Sequence, residues 1–292
     1  MIIAGIPAFN EAKVIGRVIS KTLQFVDQVI VVDDGSTDDT LLVAQKAGAK
    51  VIHHEENLGK GAALKSIFQF AKNSSADILV TIDGDGQFLP EEIPNLINSL
   101  KNNNSDIVIG YRFENKNEIP KYREIGNKIL DKVTNLAAEL PFRDTQSGFR
   151  IYSKKAINEI KFSSNGFVAD SEILIDASKK DLKVSEEKIT VIYDTGYETS
   201  TQNPISHSTS VLSSLIEYVA LKRPLTLMGV PGLIMTIIGV IFTIVVVSTF
   251  NETRYFSVPF TLISIGSLVI GSFLFLVSIF LYSISKTMRN ND

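Results

Sequence analysis

Asp77-Ile-Leu-Val-Thr-Ile-Asp-Gly-Asp-Gly-Gln87 decides how this chain folds. Ile78–Ile82 is too short for a helix, is rich in β-branched residues, and is apolar on both alternating faces. That pattern marks a strand buried on two sides, as in a parallel sheet, and not the half-exposed strand of a hairpin. Two carboxylates and two glycines follow at once. The same form recurs outward in both directions. Gln28–Asp33 runs into Asp34-Gly-Ser-Thr37, and Ile2–Ile6 runs into Pro7-Ala-Phe-Asn-Glu11. Lys50–His54 and Asp106–Gly110 complete the set of short apolar runs. Amphipathic stretches near 11–25, 38–47, 58–72 and 90–101 lie between them. Strand and helix patterns in alternation predict an α/β domain, a Rossmann-like, mostly parallel sheet covered on both faces. Such sheets bind ligands beyond the carboxyl ends of their strands, which is where the carboxylate motifs fall.

The rest of the chain is organised differently. Residues 111–200 mix helices with a few strands: Pro120 opens a helical stretch to Leu140, and Val184–Tyr193 is a late strand. Ile205–Leu221 is amphipathic, suited either to the interface of a bilayer or to packing on the preceding domain. Leu225–Phe250 and Ser257–Tyr282 then contain no charge at all, and each exceeds the roughly 20 residues needed to cross a bilayer as a helix. The short linker 251–256 makes them a hairpin. Lys222 and Arg223 precede it, and Lys286 and Arg289 follow it, while Arg254 of the linker is balanced by Glu252. Positive charge at both outer ends predicts that these ends, and the domain before them, face the cytoplasm of a cell-membrane protein. The expected division is a cytoplasmic domain at 1–200, an interface helix or linker at 201–224, two transmembrane helices at 225–285 and a cytoplasmic tail at 286–292. Met1–Ile6 carries neither a basic segment nor a long apolar one, so no signal peptide is expected. Asn251-Glu-Thr matches a glycosylation sequon but lies against the expected membrane surface.

Composition narrows the chemistry. A chain of 292 residues with net charge −3 offers no general attraction for nucleic acid. The absence of cysteine excludes disulfides, thiolate metal sites and cysteine nucleophiles. Three histidines, among them the adjacent His53 and His54, argue against a histidine-built zinc site. Asp83 and Asp85 at a strand end are hard oxygen ligands of the kind that hold Mg2+ or Mn2+ against substrate phosphates. Gly84 and Gly86 would let the backbone approach a ligand. Asp33 and Asp34 are candidate hydrogen-bond acceptors for a base or ribose, whereas Ser36, Thr37 and Asp38 suit capping of the next helix. Gly59-Lys-Gly61 lacks the spacing of a nucleoside-triphosphatase phosphate loop, so that activity is rejected.

Six motifs stand in order: Pro7-Ala-Phe-Asn-Glu11, Val31-Val-Asp-Asp-Gly-Ser-Thr37, Asn57-Leu-Gly-Lys-Gly61, Asp83-Gly-Asp-Gly-Gln87, Gly110-Tyr-Arg112 and Asp144-Thr-Gln-Ser-Gly-Phe-Arg150. Together they closely resemble the dolichol-phosphate mannose synthase-like branch of the inverting family-two glycosyltransferases, over roughly residues 1–220. The resemblance implies a GT-A fold, an Mg2+ or Mn2+ cofactor, a GDP- or UDP-linked sugar as donor and dolichyl or polyprenyl phosphate as acceptor. It assigns Pro7, Ala8, Phe9, Glu11, Asp33, Asp34, Asp83, Asp85, Ser147 and Arg150 to the donor, with Gly148 beside them. It assigns Asp85, Gln87 and Asp83 to the metal. Arg112, Arg123, Asn127 and His207 fall to the acceptor phosphate, and Asp85, Arg112 and Arg123 to catalysis.

Two departures from the family pattern stand out: Asn127 replaces the usual serine, and the loop 194–204 lacks the usual basic residue, for which His207 is a candidate substitute. A lipid phosphate is already ionised and needs no base to attack the anomeric carbon. Asp170 and Glu172 are the candidate bases if the acceptor is instead a hydroxyl. A processive polysaccharide synthase is disfavoured because its Gln-x-x-Arg-Trp motif needs a tryptophan and this chain has none. A silent membrane scaffold with the same fold is the remaining alternative. The sequence leaves the hexose, the nucleotide and any homo-oligomeric assembly open.

Overall fold

The computed structural model describes residues 1–112, 141–163, 169–192 and 224–289, with positions 131, 132, 134, 135 and 138. Arg123, Asn127, His207, the amphipathic segment 205–221 and the pair Lys222 and Arg223 lie outside the described residues.

The first unit holds a seven-stranded sheet in the order β3-β2-β1-β4-β6-β5-β7. Its strands are β1 (Ile2–Ala8), β2 (Gln28–Asp34), β3 (Lys50–His54), β4 (Ile78–Thr81), β5 (Ile107–Arg112), β6 (Arg150–Ser153) and β7 (Val184–Ile189). The β1–β2, β1–β4, β2–β3 and β5–β7 pairs are parallel. The exception is β6, antiparallel to both β4 and β5. The predicted mostly parallel sheet is therefore present, with one reversed strand that short alternation alone did not reveal. β1 runs to Ala8, so Pro7 and Ala8 are strand residues and do not follow the strand as expected. β5 likewise continues through Tyr111 to Arg112.

Alternation along the strands builds two cores. Ala4, Ile6, Val29, Val31, Val80, Val108 and Ile151 face α1 (Ile15–Thr22), α2 (Thr40–Lys46) and α4 (Ile93–Asn102). Ile3, Ile30, Val32, Leu79, Ile107 and Tyr152 face α3 (Lys60–Asn73), α5 (Lys154–Glu159) and α6 (Ala169–Lys179). A strand covered on both sides has no polar face, which is why these runs read as uninterrupted apolar segments. α3 lies directly on β1 because Gly5 leaves it room: a Cβ there would sit 2.2 Å from Ile67 Cγ2. Ile67 is fully buried, and its removal from water is worth about 1.5–3 kcal/mol.

The reversal of β6 matters for function. Parallel strands present their carboxyl ends along one edge of the sheet; an antiparallel strand brings its amino end there. Arg150 pairs in register with Thr81 and Ile109, so the loop 144–149 that leads into β6 arrives beside the ends of β4 and β5.

The second unit is a helical pair. A π-turn (Leu225–Gly229) leads into α7 (Val230–Thr253), and α8 (Val258–Arg289) returns. The spans Leu225–Thr253 and Val258–Lys286 are each 29 residues long and apolar enough to cross a membrane. Only 11% and 17% of their most apolar windows are buried, unlike core helices of a soluble domain. The helices touch along small residues. A Cβ on Gly232 would meet Phe275 N at 2.7 Å and Gly271 O at 2.8 Å, and one on Gly239 would meet Leu268 N at 2.8 Å. Thr243 Oγ1 and Ser264 Oγ lie 2.6 Å apart in the same seam. Close backbone approach at glycine and hydroxyl pairing are how helices adhere where surrounding lipid is as apolar as leucine.

Candidate active site

Carboxylates from three loops converge at the carboxyl edge of the sheet. Asp83, just past β4, rests against Gly148: a Cβ there would fall 2.2 Å from Asp83 Oδ2. The loop before β6 is fixed at this height. Thr81 Oγ1 donates to Gly148 O at 3.1 Å, Ser147 Oγ donates to Gly110 O at 2.6 Å, and Gly110 N donates to Phe149 O at 2.9 Å. Ser147 is thus a fully buried brace between two strands. On its other side Asp83 faces Lys60, at the start of α3. Lys60 Nζ lies 2.9 Å from Asp83 Oδ1 and 3.2 Å from Asp170 Oδ2 of α6. Burial would push the lysine pKa down, but Asp170 and Asp83 outweigh it and hold the ammonium above its ordinary range.

Glu11 and Asp85 are the electrostatically strained members. Burial, with Asp85, Asp38 and Asp83 nearby, pushes Glu11 up to about 7. Burial and Asp83 push Asp85 up to about 6, against opposing pulls from the Gln87 amide, Lys60 and Arg112. Asp85 Oδ1 accepts the Gln87 N–H at 3.0 Å, which closes the turn. Gly84 and Gly86 were expected to admit a ligand, but what they admit is protein. A Cβ on Gly84 would lie 3.1 Å from Ile15 Cδ1, and one on Gly86, at φ +74°, would lie 2.5 Å from Val14 Cγ1.

Arg112, the last residue of β5, is aimed by Asp144. Its Nε reaches Asp144 Oδ2 at 2.6 Å, its Nη2 reaches Oδ1 at 2.7 Å, and its own N–H donates to Oδ2 at 3.1 Å. Burial alone would raise Asp144, but the Arg112 guanidinium prevails and holds it below its usual range. Arg150, expected beside the donor, is fully buried under the site. Nη1 donates to Asp170 O at 2.8 Å and Nη2 to Thr145 O at 2.7 Å. It supports the loop from beneath and has no exposed surface with which to touch a donor.

At the β2 end, Asp33 and Asp34 are 1% and 4% exposed and are bound by neighbours. Asp33 Oδ2 lies 2.9 Å from His53 Nδ1, and Asp34 Oδ1 lies 2.6 Å from His54 Nδ1. Asp34 also accepts the N–H groups of Leu58 at 3.2 Å and Gly59 at 2.7 Å, which fixes the entry to α3. The paired histidines, set aside as metal ligands, hold these carboxylates from β3 in register. Asp38 Oδ1 accepts the N–H of Thr40, the first residue of α2, at 3.0 Å, and Ser36, Thr37 and Asp38 also tie two loops together. Ser36 Oγ accepts the Asn10 N–H at 2.9 Å, Thr37 N donates to Asn10 Oδ1 at 2.8 Å, and Asp38 accepts the Ala12 N–H at 3.1 Å. Asn10 takes a left-handed φ of 58° to do this, which leaves Phe9 exposed at the mouth.

Among the described residues no group of three or more carboxylate and imidazole ligands converges on a metal position. The residues present fit a hard cation that takes most of its oxygens from substrate. Asp85 lies among carboxylates whose mutual repulsion a cation would relieve, and one or two protein carboxylates plus phosphate oxygens is the usual Mg2+ arrangement. Two residues of the site escaped the sequence reading. Lys60 was weighed only as part of a phosphate loop and a family motif, and Asp144 was seen only inside a motif. The Lys60 signal was its place in Asn57-Leu-Gly-Lys-Gly61; its two carboxylate partners lie far along the chain.

Residues 4–161 match the sequence profile of glycosyl transferase family 2. The chain is 33% identical over 211 residues to a UDP-N-acetylglucosamine–dolichyl-phosphate N-acetylglucosaminyltransferase of Methanococcus voltae, covering 64% of this chain and 84% of that one. It is 34% identical over 185 residues to a dolichol-phosphate mannosyltransferase of Pyrococcus furiosus, covering 58% of this chain and 51% of that one. Its fold is that of glucosyl-3-phosphoglycerate synthase from Mycobacterium tuberculosis, solved with Mn2+, UDP and glucosyl-3-phosphoglycerate. That likeness has a TM-score of 0.57 at 24% identity and covers 75% of this chain and 78% of that one.

Proposed function

The chain belongs to glycosyl transferase family 2, and from that membership we propose that it transfers a hexose from a GDP- or UDP-linked donor to dolichyl or polyprenyl phosphate, with inversion at the anomeric carbon. The observation that carries the reading is the facing of opposite charges at the sheet edge: Glu11, Asp83 and Asp85 on one side, Lys60 and the Asp144-aimed Arg112 on the other. An acidic pocket with fixed cations at its rim suits a metal-bound diphosphate leaving from a sugar. The names of the relatives support a dolichyl-phosphate acceptor.

In this reading the nucleoside lies over the ends of β1 and β2, at Pro7, Ala8, Phe9 and Glu11, with Asp33 and Asp34 fixing the floor. Asp85, with Gln87 and Asp83, would hold Mg2+ or Mn2+, which would supply charge neutralisation for a diphosphate leaving group. Lys60 holds the Asp83 carboxylate in place. Arg112 adds a fixed positive charge where negative charge accumulates, and it does so without reorganising because Asp144 has already oriented it. Arg123 and Asn127, with His207 for the missing basic loop, bind the acceptor phosphate. The nucleophile is an already ionised phosphate oxygen, so the chain needs no general base. The two candidate bases for a hydroxyl acceptor are otherwise engaged: Asp170 faces Lys60 and Arg150, and the buried Glu172 accepts from Ser163 Oγ at 2.9 Å. That favours the lipid phosphate over the hydroxyl.

The two apolar helices support a location at the bilayer, where a dolichyl-type acceptor would reside. The proposed division is a cytoplasmic catalytic domain at 1–200, an interface segment at 201–224, a membrane hairpin at 225–285 and a cytoplasmic tail at 286–292. The test is transfer from GDP-mannose, UDP-glucose and UDP-N-acetylglucosamine to a polyprenyl phosphate in liposomes with Mn2+ or Mg2+. A metal-dependent product from one donor, absent with Asp85→Ala, is expected. Donor binding without transfer to the lipid would sink the acceptor assignment.

A further inference from the structure

Arg112 owes its aim to Asp144, and Asp144 is followed directly by a residue tied to a different part of the chain. Thr145 donates twice to Asp131 Oδ1, from its N–H at 2.9 Å and from Oγ1 at 2.7 Å. The Thr145 carbonyl is held from the opposite side by Arg150 Nη2 at 2.7 Å. Thr145, the residue next to Asp144, is therefore pinned at both its backbone polar groups, by a helical carboxylate and by a fully buried guanidinium. The helical positions around Asp131 are themselves anchored. Thr134 Oγ1 donates to Ser171 Oγ at 3.0 Å, and Ser171 Oγ also receives Gln146 Nε2 at 2.7 Å. Asn135 exchanges two bonds with Phe142, at 2.7 and 3.0 Å. Nothing in the transfer chemistry uses Asp131, and a half-buried carboxylate kept only for surface solubility would not spend one oxygen on two donors of a single residue.

We propose that Asp131 is a positioning residue for Arg112: through Thr145 it fixes Asp144, and Asp144 fixes the guanidinium at the charge-accumulating side of the site. This rests on the transfer reading for its effect on rate, and on the hydrogen-bond chain alone for its effect on Arg112. A side chain that acts through another reveals itself by non-additivity, since its removal costs nothing once the residue it aims is gone. The carboxamide of asparagine keeps the Oδ1 acceptor that both Thr145 donors need, so Asp131→Asn conserves the brace and Asp131→Ala removes it.

Two measurements on the full chain test this. In the first, the Nε–H resonance of Arg112, identified by its loss in Arg112→Lys, is followed for solvent exchange. Faster exchange by about tenfold in Asp131→Ala, with near wild-type exchange in Asp131→Asn, is expected for a bond of about 1.4 kcal/mol. Unchanged exchange in Asp131→Ala overturns the proposal whether or not the chain transfers sugar. In the second, a double-mutant cycle on kcat pairs Asp131→Ala with Arg112→Ala. The expected result is a loss in the wild-type background that disappears in the Arg112→Ala background and is rescued by Asp131→Asn. Equal losses in both backgrounds would make Asp131 a structural residue only and end the proposal. Absence of all transfer by the wild type would instead count against the proposed function, leaving the exchange measurement to decide this one.

Discussion

Gly148 has no room for a side chain, because the space a Cβ would take is filled by the Asp83 carboxylate. Gly148→Ala is expected to displace Asp83 and weaken binding of Mn2+ with UDP or GDP by tenfold or more in calorimetry, while the cores on either face of the sheet stay intact. An unchanged affinity would remove Asp83 from the donor site. Lys60 poses the converse case of a cation between two carboxylates. Lys60→Ala strands Asp83 and Asp170, and breaking such a buried arrangement costs on the order of 3–5 kcal/mol. Adding Asp170→Asn should restore part of the lost thermal stability. Glu11 gives a pH signature. Its folded value of about 7 lies above the ordinary glutamate value of 4.5, so between those values the folded chain binds the extra proton. Stability from this group is therefore present at low pH and lost as pH rises through about 7. Relative to wild type, Glu11→Gln should gain thermal stability steadily from pH 5 to pH 7.5, and a flat difference would contradict the burial of this carboxyl. These three residues also mark what the sequence made legible. The carboxylates Asp83, Asp85 and Glu11 were readable because a strand end announces them. Lys60 was not, because it acquires its role from partners more than 20 residues away in the chain.

At the scale of elements, β6 and the helical pair carry the consequences. A buried parallel strand is legible as a solid apolar run, whereas β6 is four residues of mixed character and is defined by what it pairs with. Its reversal brings Asp144–Phe149 to the binding edge, and hence places Gly148 under Asp83 and Asp144 beside Arg112. The seam of α7 and α8 makes a prediction of its own. Gly232→Val inserts atoms where Phe275 N and Gly271 O already lie, while Gly266 has nothing within 4 Å of its Cβ position. Overpacking of this kind costs about 1–3 kcal/mol. Gly232→Val should lower the unfolding midpoint of the protein in detergent, and Gly266→Val should leave it unchanged. Equal behaviour of the two would mean that the seam does not hold the helices together.

For the whole molecule, the open matter is how the chain lies at the membrane. The charge arrangement argues for both outer ends on the cytoplasmic side, with the linker between α7 and α8 across the bilayer. The absence of cysteine allows a direct check, since an introduced thiol is unique. Tyr255→Cys in the linker, where the native side chain is 65% exposed, should react with a membrane-impermeant maleimide applied to intact cells. Gln45→Cys on the exposed face of α2 should react only after lysis. The opposite pattern would reverse the proposed orientation. Deletion of 225–292 tests the role of the hairpin: donor affinity is expected to persist, and transfer to a long-chain polyprenyl phosphate in vesicles to fall.

By itself the sequence determined the class of the fold, the edge of the sheet at which chemistry would be sought, and the presence of two apolar spans. Each of these depends on local pattern, on period and on run length, which a chain carries without reference to its neighbours. Tertiary structure decided what the polar residues do. Asp33 and Asp34 are held by histidines one strand away, Ser36 and Thr37 join loops and do not cap a helix, and Arg150 lies beneath the site it was expected to line. The physical reason is that a charge or a hydrogen-bonding group is satisfied by whatever stands within about 3 Å of it. In a sheet whose spatial order departs from its sequence order, that neighbour comes from far along the chain.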